Sequence, residues 1–215
     1  MGIGKLLHHH TESSDGGGTI DHPRTYEAIA SLLLLGARRR YFTRLAALSG
    51  ARQDDRVLDV GCGTGYLTRI LATRAGRVTG VDLSSAMIGY ARRRAPANCD
   101  YVVGEGQALD LPDASFDVVV SSLAVHHIPS GARAAAIREM FRVLRPGGRL
   151  MIAEFRPPTG HVSARVVGMI TGPAMLENLR DQILRLLADA GFRFRDEGRV
   201  GPVLTYLRAV RPDAD

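Results

Sequence analysis

The feature that most constrains this chain is a rhythm that begins at Arg56. From there short apolar runs alternate with segments of helical period, and the first run ends in Gly61-Cys62-Gly63-Thr64-Gly65. Arg56–Val60 reads as a strand, and the helix after the loop carries Leu67, Ile70 and Leu71. Arg77–Asp82 reads as the next strand and Ser84–Arg94 as the next helix, with Ser84 or Ser85 as its N-cap. Asp100–Val103 makes a third strand. Phe116–Ser121 makes a fourth, almost wholly apolar, as a strand covered on both faces must be. A helix from Gly131 to Leu144 is stopped by Pro146-Gly147-Gly148, and Arg149–Glu154 is the fifth strand. Repeated strand–helix units require right-handed crossovers, hence a parallel sheet with helices on both faces.

The end of the chain breaks the rhythm. After Pro157–Pro173, a loop rich in Pro and Gly, a helix is expected from Leu176 to Ala190 with Gly191 as its cap. Phe192–Glu197 and Val203–Val210 follow, joined through Gly201-Pro202, and two strands this close must pair antiparallel. The expected fold class is α/β: a Rossmann-like, doubly wound, mostly parallel sheet of seven strands with an antiparallel C-terminal hairpin at one edge.

Residues 1–21, rich in Gly, Ser and His, read as a flexible tail, and residues 22–215 as one domain. Within it, 24–50 form a helical cover of two helices meeting near Gly36. Residues 54–156 are the core, 157–178 a lid loop or helix, and 176–210 the C-terminal helix and hairpin. Val162, Val166, Val167, Met169, Ile170 and Met175 stand at helical spacing, which suits either a core-facing helix or an apolar lid. No apolar run approaches the roughly 20 residues a bilayer demands, and no secretory leader is evident, so a cytoplasmic protein is expected. Cys62 and Cys99, the two cysteines, make no disulfide framework and have no partners at metal-ligand spacing.

The net charge is +6, which suggests a nucleic-acid partner at first sight. Lys5 is the one lysine, however, and the 27 arginines are scattered along the chain rather than gathered in a tail. A skew of that kind arises as readily from coding composition as from phosphate binding, and both readings stay open on charge alone.

The glycine loop narrows the ligand. Glycines between a strand and a helix permit a tight turn and let a ligand approach the backbone. Here they fall at positions one, three and five, whereas a dinucleotide loop needs the third at position six, where Tyr66 stands. Asp59 precedes the first glycine by two residues and suits a cationic amine. Asp82, ending the second strand roughly 20 residues after the loop, can accept from both hydroxyls of a ribose. The combination favours a nucleoside carrying an amino group over a diphosphate.

VLDVGCGTGYLT (Val57–Thr68), TGVDLSSAMI (Thr79–Ile88), VVGEGQALDLPDASFDVVVSSLAVHHI (Val102–Ile128) and VLRPGGRLMIAEF (Val143–Phe155) follow one another in order. Together they resemble the successive motifs of class I S-adenosylmethionine-dependent methyltransferases, in the small-molecule branch that includes ubiquinone/menaquinone-type enzymes. The resemblance implies S-adenosylmethionine as cofactor. It assigns Asp59, Gly61, Gly63 and Gly65 to the methionine part, with Cys62 as a small residue inside the loop. It assigns Asp82 to the ribose, Leu83 to the adenine, and Ser121 to the methionine end. Glu105 stands where the family has Asp, near the adenine amino group, and Gly106 and Gln107 would supply backbone contacts there. Arg24 and Tyr26 are possible covers from the N-terminal helix.

Methyl transfer from a sulfonium is a single displacement, so the protein aligns, excludes water and, for some acceptors, removes a proton. Three groups at the carboxyl ends of the strands are candidate bases: His126, His127 and Glu154. A structural role for the histidine pair, with catalysis by proximity alone, is the competing reading. The resemblance implies a small, apolar or aromatic methyl acceptor methylated on O, C or N. A nucleic-acid methyltransferase is the alternative. It is disfavoured because Ser121-Ser122-Leu123-Ala124 stands where amino-directed enzymes of this fold carry an Asn/Asp-Pro-Pro-aromatic segment. A binding protein that transfers nothing is a third class, and a nicotinamide dehydrogenase is disfavoured by the glycine spacing.

Overall fold

The computed structural model describes Pro23, residues 36–156 and residues 179–213. The expected first cover helix, Arg24, Tyr26 and the lid segment 157–178 lie outside the described residues. The elements run α1 (Arg38–Leu48), β1 (Arg56–Val60), α2 (Tyr66–Leu71), β2 (Arg77–Asp82), α3 (Ser85–Arg92) and β3 (Cys99–Val103). They continue with β4 (Phe116–Ser122), a 3-10 turn at Val125–His127, α4 (Ser130–Val143), β5 (Leu144–Phe155), α5 (Arg180–Asp189), β6 (Arg193–Val200) and β7 (Leu204–Val210).

The seven strands form one sheet in the order β3-β2-β1-β4-β5-β7-β6. β1 pairs in parallel with β2 on one side and β4 on the other, so the chain reverses its direction of winding at β1. Ligands of open α/β sheets bind outside the carboxyl ends of the strands at such a reversal. β7 runs antiparallel to both β5 and β6, as the short Gly201-Pro202 connection requires, and Gly201 takes φ +65° there.

Two apolar layers hold the sheet. One face gathers Val57, Val78, Val118, Val120 and Met151 with Phe42 and Leu45 of α1, Leu67 and Leu71 of α2, and Ile88 of α3. The other gathers Leu58, Val119, Leu150 and Ile152 with Ile137 and Met140 of α4 and Ile183 and Leu187 of α5. Val118, Val119 and Val120 of β4 therefore serve the two layers in turn. Ser84 caps α3, its Oγ accepting the Met87 N–H at 3.3 Å.

Element ends moved by small amounts, each for a local reason. β6 ends at Val200, three residues beyond the expected Glu197, because Val200 is buried beside Leu204 and pairs with it. β5 starts at Leu144 rather than Arg149, since Leu144 already pairs with Phe116. The ladder then shifts register before Val118 meets Arg149, and Pro146-Gly147-Gly148 lies inside that irregularity. The β3–β4 connection, residues 104–115, holds no helix and has only a bridge between Glu105 and Ala108.

Leu58, fully buried at the centre of the sheet, tests the core. Leu58→Ala should lower unfolding free energy by about 2–5 kcal/mol in urea titration, with the far-ultraviolet spectrum unchanged.

Candidate active site

The loop after β1 is tacked to the end of β2 by its own backbone. Gly61 and Cys62 both donate N–H to the Val81 carbonyl, at 2.8 and 3.0 Å. Asp82 completes the clamp: one carboxylate oxygen accepts the Gly63 N–H at 2.7 Å and the other the Ser84 N–H at 2.9 Å. A carboxylate has about four acceptor positions, so Asp82 keeps capacity toward a ligand. Burial raises its pKa, and the Ser84 and Gly63 N–H groups oppose that rise. Leu83, beside it, is 55% exposed and offers an apolar face at the same edge.

The three loop glycines serve different ends. Gly61 takes φ +74°, and a Cβ there would collide with the Ala124 methyl, so the loop after β1 lies against the connection after β4. Gly65 takes φ +71°, and a Cβ on it would run into the Tyr101 hydroxyl. Gly63 (φ +53°) has open space where a Cβ would stand, which leaves its backbone accessible to a ligand. Tyr66 is turned away toward α1, with the Arg38 guanidinium 3.9 Å from its ring centre and Phe42 edge-on at 5.3 Å.

Asp59 lies beneath this loop with 1% exposure. Thr68 Oγ1 donates to one of its oxygens at 2.6 Å. Burial pushes its carboxyl up to about 7; the Thr68 hydrogen bond opposes the rise and the Asp82 charge adds to it. Cys62 is buried and its thiol is pushed far up by burial, with Asp59 and Asp82 adding to the effect, so it is no nucleophile. Glu105 is exposed, and Gln107 Nε2 donates to it at 2.7 Å. A Cβ on Gly106 would meet Val60 at 3.2 Å and Ile128 at 3.8 Å, so this loop bends over the end of β1 toward the turn after β4. Ser121 pairs in register with Val60, and its buried Oγ has no hydrogen-bond partner among the described residues.

Two of the candidate bases come together. His126 Nδ1 lies 2.7 Å from Glu154 Oε2, and both residues are 7% exposed. The second oxygen of Glu154 accepts the Val125 N–H at 2.9 Å. His127 stacks beside His126 with ring centres 4.1 Å apart and a tilt of 41°. The sequence names Thr68 and Ala124 only as neighbours of motifs. A threonine on the first turn of α2, nine residues after a buried acid, is the one signal that could have singled out Thr68.

A family described as "Methyltransferase domain" matches residues 57–148. The ubiquinone/menaquinone biosynthesis C-methyltransferase UbiE of Hydrogenovibrio crunogenus is 33% identical over 200 residues, covering 88% of this chain and 76% of that protein. The chain belongs to this methyltransferase family. The malonyl-[acyl-carrier protein] O-methyltransferase of Serratia marcescens is 36% identical over 129 residues, which are 60% of this chain and 48% of the relative. The chain thus spans about half the length of that relative. The crystal structure of a SAM-dependent methyltransferase from Aquifex aeolicus shares the fold with a TM-score of 0.70 at 20% identity, over 88% of this chain and 98% of that one. The family cofactor is S-adenosylmethionine. The open space beside Gly63, the spare acceptor positions of Asp82 and the Ser121 hydroxyl, unpartnered among the described residues, fit a nucleoside with a polar amino-acid tail.

The raised pKa of Asp59 sets a signed prediction. In the unfolded chain this carboxyl ionises near its ordinary value of 3.8, and in the fold only near 7. Between those values the folded state holds the extra proton, so stability falls as pH rises through the window and stays low above it. Asp59→Asn keeps an acceptor for Thr68 and removes the buried charge. The variant should melt higher than wild type at pH 7.5, by on the order of 4 kcal/mol at most, with the difference vanishing toward pH 4. Melting curves across that range check it. A gap that does not change with pH would contradict the buried ionisation.

A second prediction follows from the contact under Gly61. Gly61→Ala should weaken binding of S-adenosylhomocysteine at least tenfold by calorimetry. Adding Ala124→Gly should restore part of the loss, since the remaining strain is the positive φ.

Proposed function

We propose that this protein transfers the methyl group of S-adenosylmethionine to carbon or oxygen of a small, apolar or aromatic acceptor. The observation that carries the proposal is a juxtaposition at the carboxyl edge of the sheet. The accessible glycine loop touches, through Gly61 and Ala124, the turn that bears the buried His126–Glu154 pair. A cofactor cradle and a candidate base thus share one edge of the sheet.

The cofactor, when bound, supplies an electrophilic methyl carbon: the acceptor's electron pair forms the new bond, and the pair of the broken C–S bond stays on sulfur. The chain does the rest. Asp82 and the backbone at Gly63 orient the nucleoside, and Ser121 Oγ donates to the polar tail. Asp59 stands under the loop as the acid nearest an ammonium, while Glu105, Gly106 and Gln107 border the adenine edge. His126, with His127 and Glu154 beside it, takes a proton from an acidic acceptor such as a phenol or an enol. Leu123, Val125 and the Phe155 ring, 6.1 Å from that of His126, make the surroundings of the base apolar. The likeness to a C-methyltransferase of ubiquinone/menaquinone biosynthesis supports an aromatic quinol-type acceptor, and the malonyl O-methyltransferase supports a carboxylate on an apolar chain.

The test is transfer of labelled methyl to a panel of reduced naphthoquinones, phenols, malonyl thioesters and amines, with tRNA and rRNA fragments alongside. Label should appear on a quinol, phenol or carboxylate. Asp82→Ala should raise the cofactor KM at least tenfold. Label on RNA alone, or no label with the cofactor bound, would overturn the assignment.

A further inference from the structure

The connection after β4 is sharply bent. Leu123 is buried and takes φ +57°, a left-handed conformation that costs a non-glycine residue roughly 1–3 kcal/mol and clusters at functional sites. Its N–H donates to the Ala153 carbonyl at 2.8 Å, which pins the bend to β5. Ala124 then rests on Gly61, and the chain enters the turn Val125–His127. At the far end of that turn Arg133 Nε donates to the Ile128 carbonyl at 3.0 Å. The turn is therefore held at both ends, and its middle carries His126.

Glu154 engages this turn with both of its oxygens. Oε2 meets His126 Nδ1 at 2.7 Å, and Oε1 accepts the Val125 N–H at 2.9 Å. A carboxylate facing Nδ1 makes that nitrogen the protonated one and leaves the lone pair on Nε2. The same carboxylate balances the charge when Nε2 accepts a proton. Both oxygens of Glu154 are thus committed to the turn, one to the ring and one to the backbone.

We propose that Glu154 is a positioning residue acting through His126, and that His126 Nε2 takes the proton from the methyl acceptor. The inference rests on the methyltransferase reading above and divides the roles within it. The acceptor's O–H bond breaks, an N–H bond forms at Nε2, and the electron pair stays on the acceptor. The imidazolium stays paired with the Glu154 carboxylate until the proton passes to water after product departs. A purely structural pair would make the same contact and fix the same tautomer, but removing its charge would leave turnover unchanged wherever cofactor affinity is kept.

Nitrogen-15 NMR of the labelled full chain with S-adenosylhomocysteine bound tests the tautomer without turnover. At a pH where His126 is neutral, wild type should show a protonated Nδ1 and a bare Nε2 for His126. In Glu154→Gln that preference should weaken or reverse. With a reduced naphthoquinone as probe, turnover should fall about 10²–10⁴-fold while affinity for S-adenosylhomocysteine stays within threefold. His126→Gln should fall to the same level, and the double variant should fall no further, because the pair acts as a unit. Glu154→Asp, which keeps the charge, should recover part of the turnover and serves where Glu154→Gln fails to fold.

A wild-type His126 protonated at Nε2, or a double variant whose losses simply multiply, would overturn the role of Glu154. Full turnover in His126→Gln would do the same. Absence of transfer to any acceptor by a chain that binds cofactor would sink the methyltransferase reading instead, with the tautomer still readable.

Discussion

The Asp82 carboxylate and the Val81 carbonyl before it bind the loop after β1 to the end of β2 through three backbone N–H groups, those of Gly61, Cys62 and Gly63. Everything at the carboxyl edge depends on that junction. It holds the loop in a shape with three positive-φ glycines, and it presses Gly61 against Ala124. It sits where the winding of the sheet reverses, since β1 has β2 on one side and β4 on the other. A ligand meeting this edge finds a preformed surface, so less ordering entropy opposes its binding.

Three carboxylates at this edge meet burial in three ways. Asp82 is half-buried and held by one backbone donor on each oxygen, which keeps it an acceptor of fixed direction. Asp59 is sealed off with the hydroxyl and backbone N–H of Thr68 as donors, and its ionisation is driven toward neutrality. Glu154 is buried against an imidazole and a backbone N–H, a neighbour that can carry the compensating charge itself. A buried charge demands a paired and hydrogen-bonded setting. These settings separate a cradle, a proton-sensitive support and a candidate acid–base pair at one edge of the sheet.

The arginine surplus finds its explanation in the same bonding logic. Arg142 reaches the Leu109 and Leu111 carbonyls as well as Glu139 and Asp113, and so holds the helix-free β3–β4 connection onto α4. Arg211 donates to the Phe141, Arg142 and Leu144 carbonyls where α4 gives way to β5. Arg208 ties Asp196 to the Leu48 carbonyl at the end of α1. A guanidinium offers five donors in a planar fork, which suits exactly such unpaired carbonyls at element ends. Much of the +6 charge therefore stands in structural bonds rather than forming one basic face.

Local pattern made the strands, the glycine loop and Asp82 legible in the sequence, because each is set by neighbours within a few residues. The nearly unbroken apolar run of Phe116–Ser121 dictated a doubly covered strand, and the turn Gly201-Pro202 dictated antiparallel pairing. The spacing of the loop glycines separated a nucleoside from a dinucleotide for the same local reason. Strand ends such as Val200 and Leu144 were not legible, since they depend on which residue stands opposite. The meeting of His126 with Glu154 and of Gly61 with Ala124 belongs to the tertiary structure alone. Those contacts arise only when β1, β4 and β5 lie side by side and a strained Leu123 turns the chain back over the edge, and no periodicity along the chain encodes them.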